Sequence, residues 1–94
     1  MNVRDIKRVY FVGIGGIGMS ALARFFREQG TVVSGYDKTE TELTKTLAGE
    51  GMDIHYTDDP ALIDQAAELI IYTPAIPKDH NTSEYLVPLV TGVT

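Results

Sequence analysis

Cysteine is absent from all 94 residues, which excludes disulfides, thiolate metal sites and cysteine nucleophiles and fits a reducing cytoplasm. No apolar run approaches the roughly 20 residues that a bilayer-spanning helix needs. The opening Met1-Asn2-Val3-Arg4-Asp5 is polar and carries no apolar core after its basic residue, so no signal peptide is expected. Positive charge is scarce: 8 Lys and Arg stand against 13 Asp and Glu, for a net charge of -5. Nothing resembles the basic stripe that nucleic acid or an anionic membrane surface requires, so neither is an expected partner. Metal-ligand spacing is missing as well; His80 beside Asp79 is a lone histidine in a polar stretch and reads as solvent-exposed. Repeats, low-complexity tracts and interdomain linkers do not occur, and the chain reads as one small domain, residues 1–94.

What the chain does contain is a short apolar strand, Val9 to Val12, running into Gly13-Ile14-Gly15-Gly16-Ile17-Gly18 and then into the helix-forming series that begins Met19-Ser20-Ala21-Leu22. This is the Gly-x-Gly-x-x-Gly pattern of a phosphate cradle. Gly13 is expected to allow the tight turn, Gly15 to let backbone approach a pyrophosphate, and Gly18 to let the helix pack closely on the sheet. The unpaired amides of that helix's first turn, carrying roughly half a positive charge, would face the anionic oxygens. Asp37 follows Gly18 by 19 residues, at the end of a second apolar strand, near the spacing of the acid that meets the nucleoside. Because the overall charge is negative, local amides rather than long-range attraction must recruit a pyrophosphate.

Strand and helix patterns alternate along the chain, which predicts an α/β, Rossmann-like three-layer domain with a mostly parallel sheet. Strands are expected at about 8–12, 31–36, 53–56 and 69–72, and a helix at about 16–29, with Met19, Leu22, Phe25 and Phe26 on or near one face and Gly30 as its stop. Thr39 with Glu42 predicts a capping box for a short helix carrying Leu43 and Leu47. Asp59-Pro60 predicts an N-cap and first position of a brief helix through Leu62, Ile63 and Ala66. Gly35 inside its strand suggests close backbone approach. The loop Thr73-Pro74-Ala75-Ile76-Pro77 is expected on the same sheet edge as the glycine loop, and Leu86 to Val90 as a last strand with Pro88 favouring an edge position.

Gly13 to Ala23, Gly35-Tyr36-Asp37 and Tyr72 to Pro77 together resemble the amino-terminal domain of the Mur ligases, a likeness that covers roughly Val9 to Ile76. The doubled glycine followed by Ile-Gly-Met-Ser is more specific than a generic dinucleotide fingerprint. The resemblance implies a cytoplasmic, ATP-dependent ligase of peptidoglycan biosynthesis, in which this domain holds the UDP portion of UDP-N-acetylmuramate. ATP and Mg would then sit with the catalytic residues in the remaining domains, and no cofactor here. No Gly-x-x-x-x-Gly-Lys-Ser/Thr loop occurs among these residues, so an ATP triphosphate cannot be held in the P-loop manner, and the chain alone is expected to bind but not to turn over.

The implied substrate-binding set is Gly15, Gly16, Ile17, Gly18, Met19, Ser20, Asp37, Lys38, Thr73, Ala75 and Ile76. Backbone amides of Gly15 to Gly18 would meet the diphosphate, and the Ser20 hydroxyl would add a donor. Asp37 would accept from ribose hydroxyls or the uracil imide; alternatively it ends a strand or caps the next helix. Lys38 lies near the nucleoside or is simply solvated, and Thr73, Ala75 and Ile76 would line the opposite wall. Where many relatives carry a histidine after the third strand this chain has Asp58, while His55 falls within the strand and reads as packed or surface. The arginine expected after the final strand is absent, with Thr91 to Thr94 in its place. Two other readings share the glycine loop: an NAD(P)-binding domain of an oxidoreductase, which would need a second nucleotide-binding half, and a nucleotide-sensing regulatory module.

Overall fold

Five residues, Arg8–Val12, form β1, and their alternation decides how the domain is layered. Val9 and Phe11 are fully buried on one face, while Arg8, Tyr10 and Val12 point to the other, as the two-residue period of a strand demands. The computed structural model describes residues 3–72 and 89–92. Along them, β1 is followed by α1 (Ile17–Glu28), β2 (Val32–Tyr36), α2 (Glu42–Gly49), β3 (Asp53–His55), β4 (Leu69–Tyr72) and β5 (Leu89–Gly92), with single 3-10 turns at Val3–Asp5 and Pro60–Leu62.

The strand order is β3-β2-β1-β4-β5. β1 to β4 are parallel, and β5 runs antiparallel on β4 at the sheet edge. The expected α/β, mostly parallel architecture is therefore the one observed. The chain moves outward from β1 through β2 to β3 and then returns to place β4 on the other side of β1, so the order reverses at the β1/β4 boundary. In open parallel sheets the crevice beyond the strand ends at such a reversal is the ligand position.

α1 and α2 cover one face. Met19, Ala23 and Phe26 of α1 and Leu47 of α2 join Val9, Phe11, Val33, Leu69 and Ile71 in one buried cluster, and Phe26 meets Phe11 edge-on at 6.2 Å between ring centroids. Leu22 packs partly against the cluster, but Phe25 falls outside the buried stripe and is 52% exposed. Gln29 is the C-cap of α1, and Gly30 follows at φ +92°, the left-handed residue that closes a helix. Gly35 matches its expected role: a Cβ there would lie 2.8 Å from the Phe11 carbonyl oxygen and 2.9 Å from Ile14 Cδ1.

Two local expectations are corrected. The α2 capping box is built on Thr41 and Thr44, not Thr39 and Glu42; the Thr39 amide is instead drawn to Asp37 Oδ1 at 3.1 Å in a side-chain turn. Asp59 caps Ala61 N–H at 2.9 Å and Pro60 takes the first position as expected. The turn nevertheless stops after Leu62, because Ile63 is extended at ψ 132°. Ala66 lies beyond it, its amide donating to Asp64 Oδ1 at 3.0 Å. Among the described residues the third layer is this connection, tied to the sheet by Arg8 Nε donating to Asp64 Oδ2 at 2.8 Å. β5 supplies the expected last strand at an edge, two residues later than Leu86–Val90 suggests at its close; Pro88 lies outside the described residues.

Candidate functional site

The loop between β1 and α1 is held from below by one carbonyl. Gly13 N–H and Ile14 N–H both donate to Tyr36 O, at 2.7 and 3.1 Å, and Gly16 N–H closes the turn on Gly13 O at 3.1 Å. Gly13 sits at φ +85°, a conformation that costs other residues about 1 kcal/mol or more. Ile14 is fully buried and anchors the loop in the core.

Gly16 is the N-cap of α1 and offers no side-chain cap. The first helical bond runs from Ser20 N–H to Gly16 O at 2.8 Å, so the N–H groups of Ile17, Gly18 and Met19 find no acceptor among the described residues, as a first turn requires. Gly16, Ile17 and Gly18 are exposed. Three uncommitted donors and the positive end of a 12-residue helix therefore open beside the β1/β4 reversal, an arrangement suited to an anion such as a diphosphate.

The sequence-expected residues occupy this site unequally. The Gly15 amide is already engaged, donating to Asp37 Oδ2 at 2.7 Å, and the Gly16 amide to Gly13 O. What approaches the Gly15 α-carbon is Asp37 and Thr44: a Cβ there would stand 2.8 Å from Asp37 Oδ2 and 2.8 Å from Thr44 Cγ2. Gly18 does not serve close helix-to-sheet packing, since a Cβ there meets nothing within 4 Å. Met19 contributes its amide only, its side chain being buried in the core. Ser20 is buried and its hydroxyl donates to Ile17 O at 2.9 Å, so that hydrogen is not offered to a ligand. Asp37 is half-buried beside the loop and Lys38 is exposed. Thr73, Ala75 and Ile76 lie outside the described residues.

Sequence reasoning missed a cleft of about 220 Å³ on the sheet face opposite the helices, where Tyr10, Tyr36 and His55 form the floor and Asp58, Pro60 and Ile63 the rim. His55 Nδ1 lies 3.0 Å from Thr57 O and Nε2 lies 2.8 Å from the Tyr10 hydroxyl. A carbonyl can only accept, so Nδ1 carries the proton, and in the neutral ring Nε2 accepts from the Tyr10 hydroxyl. The two rings stack with centroids 5.9 Å apart. Burial, then the Asp58 charge and Tyr36, push the Tyr10 phenol up to about 12. The signal was available in the alternation of Tyr10 and Val12 with core residues on β1, and of His55 with Ile54 on β3. It marks a second, half-covered face rather than a site by itself.

Among the described residues there is no group of three or more His, Asp or Glu able to hold a metal ion, and no helix long and apolar enough to cross a membrane. The family description "Mur ligase family, catalytic domain" matches residues 8–90. The chain is 50% identical over 91 residues to a UDP-N-acetylmuramate--L-alanine ligase of Christiangramia forsetii, covering 90% of this chain and 20% of that protein. It is 55% identical over 85 residues to the protein of that name from Cytophaga hutchinsonii, covering 85% of the chain and 18% of the relative. The corresponding figures for the Parabacteroides distasonis protein of that name are 50% over 90 residues, 90% and 20%. The chain thus spans about a fifth of the length of the curated relatives it matches.

Proposed function

The chain belongs to the Mur ligase family, and on that premise we propose that it is the UDP-binding amino-terminal domain of a ligase joining L-alanine to UDP-N-acetylmuramate. The observation that carries this reading is the uncapped first turn of α1, with the amides of Ile17, Gly18 and Met19 open at the point where strand order reverses. Those three amides take the diphosphate oxygens, and Gly15 and Gly16 shape the loop that presents them. Asp37 keeps unused lone pairs on both carboxylate oxygens and stands where a ribose or uracil donor can reach it, with Lys38 alongside. The family likeness assigns the remaining contacts to Thr73, Ala75 and Ile76, which lie outside the described residues.

The family supports a division of labour in which ATP and Mg are held by the rest of the protein, the muramoyl carboxylate is activated as an acyl phosphate, and the alanine amine displaces phosphate from it. Such a ligase works in the cytoplasm, where its nucleotide substrates are. This domain's part is to hold and orient the UDP end so that the carboxylate reaches that chemistry; the chain has no triphosphate loop of its own. Calorimetric titration with UDP-N-acetylmuramate, UDP, NADH and ATP tests the reading. Saturable binding of both UDP compounds, with no heat from NADH, is the expected result. Preference for NADH would replace it with a dinucleotide domain.

A further inference from the structure

We infer that Asp37 is a positioning residue for anion binding: its carboxylate sets the glycine loop in the geometry that presents the α1 amides, and it acts on the diphosphate through the loop rather than only by touching the nucleoside. The inference rests on the UDP reading above and adds to it the means by which the loop is held.

The contacts around Gly15 carry it. Asp37 Oδ2 accepts the Gly15 amide at 2.7 Å, a charge-assisted bond across 22 residues of sequence, and Oδ1 accepts the Thr39 amide at 3.1 Å. The residue before Asp37 anchors the same loop, since Tyr36 O takes the amides of both Gly13 and Ile14. On the far side Thr44, fully buried at the start of α2, would lie 2.8 Å from a Gly15 Cβ. Its hydroxyl is fixed by Tyr56 and by the Thr41 carbonyl, at 2.9 and 3.0 Å. Gly15 is thereby wedged between the end of β2 and the start of α2, with Asp37 as the polar half of the wedge. Gly16, the N-cap that aims Ile17, Gly18 and Met19, is the next residue. A carboxylate is not what a diphosphate meets favourably, and this one faces two backbone donors that disperse its charge.

The two roles separate by ligand. Inorganic pyrophosphate carries the anion and no nucleoside, so a residue that only clasps ribose or uracil leaves its affinity unchanged, whereas a loop strut affects it as much as it affects UDP. The experiment compares wild type, D37A and D37N, titrating UDP and pyrophosphate by ¹⁵N NMR shifts and following hydrogen exchange of the Gly15 amide in the free protein. In D37A both ligands should weaken by a similar factor, roughly tenfold or more, the loss expected for a hydrogen bond to a charged group, and the Gly15 amide should exchange faster. In D37N one amide oxygen remains for Gly15 while the NH2 group cannot accept from Thr39, so pyrophosphate affinity and Gly15 exchange should fall between wild type and D37A; retained spectral dispersion in both variants distinguishes a local effect from unfolding. Weakened UDP binding with unchanged pyrophosphate binding overturns the inference, as does unaltered Gly15 exchange in D37A. So does a wild type that binds UDP without measurable affinity for pyrophosphate. A wild type that binds neither overturns the UDP reading itself, and the Gly15 exchange rate then still reports whether Asp37 holds the loop.

Discussion

An alanine methyl at Gly35 would meet the Phe11 carbonyl oxygen, which belongs to the central strand and cannot move aside, whereas one at Gly18 would meet nothing within 4 Å. The two substitutions should therefore part in sign. Gly35→Ala should cost about 1–3 kcal/mol in urea unfolding by overpacking, and Gly18→Ala should be neutral or gain up to about 1 kcal/mol, since glycine is a poor helix residue. Gly15→Ala stands between them: its neighbours are side chains, but Thr44 is fully buried, so the strain should appear as lost UDP affinity along with lost stability. Sequence pattern assigned the three glycines separate roles, of which the fold shows close backbone approach at Gly35, whereas Gly18 meets nothing and Gly15 meets Asp37 and Thr44. Spacing reveals that Gly15 and Asp37 belong to one site. It does not reveal that they bond to each other, because that contact depends on the register of β2 on β1, which places Asp37 just beyond the Val12–Tyr36 pair. Tyr10 offers a second residue-level test. Its phenol is raised from 10.0 to about 12 in the fold, so the unfolded chain releases the proton first. The contribution is fully present below pH 10 and is lost as pH rises through about 12. Spectrophotometric titration should show one of the five tyrosines ionising last, and Tyr10→Phe should remove that late step.

At the level of elements, the open start of α1 sets stability against binding. Gly16 has φ -67° and ψ 152°, backbone that any residue adopts, and a Cβ there would make only ordinary contacts of 3.5 Å or more. Gly16→Asp should therefore cap the helix and stabilise the fold by roughly 0.5–1 kcal/mol, while placing a carboxylate where the diphosphate is to sit. Denaturation and UDP titration on the same variant should move in opposite directions; stabilisation with undiminished UDP affinity would locate the anion elsewhere. Element positions were largely legible because strands 8–12 and 69–72 and the first helix carry clear apolar periods. The misread pieces were the ones with competing local chemistry. The run from Thr39 to Thr44 contains two plausible caps, and Asp37 decides between them by taking the Thr39 amide. The 60–66 segment has a good helix start and apolar Leu62, Ile63 and Ala66, but Asp64 is drawn to Arg8 and takes the Ala66 amide in a side-chain turn instead.

For the whole molecule, a net charge of -5 opposes the approach of an anionic ligand even though the local amides favour it on arrival. Raising ionic strength shortens the screening length from about 30 Å at 0.01 M to about 8 Å at 0.15 M. The rate of UDP association should consequently rise with salt over that range, the reverse of a site recruited by lysines and arginines, and NMR line shapes or relaxation kinetics would read it. A rate that falls with salt would mean that a positive surface field dominates at the site. The sheet's central strand carries one more consequence. Val9 pairs with Val33 on one side and with Leu69 on the other, so β1 has only one neighbour until most of the chain exists. On a ribosome, a nascent chain that has delivered β1, α1 and β2 exposes the other edge of its central strand until β4 emerges, and an open strand edge invites wrong pairing. The interval between the emergence of β2 and that of β4 thus sets how long that edge waits, and synonymous slow codons that lengthen it should lower the yield of correctly folded protein without altering a single side chain.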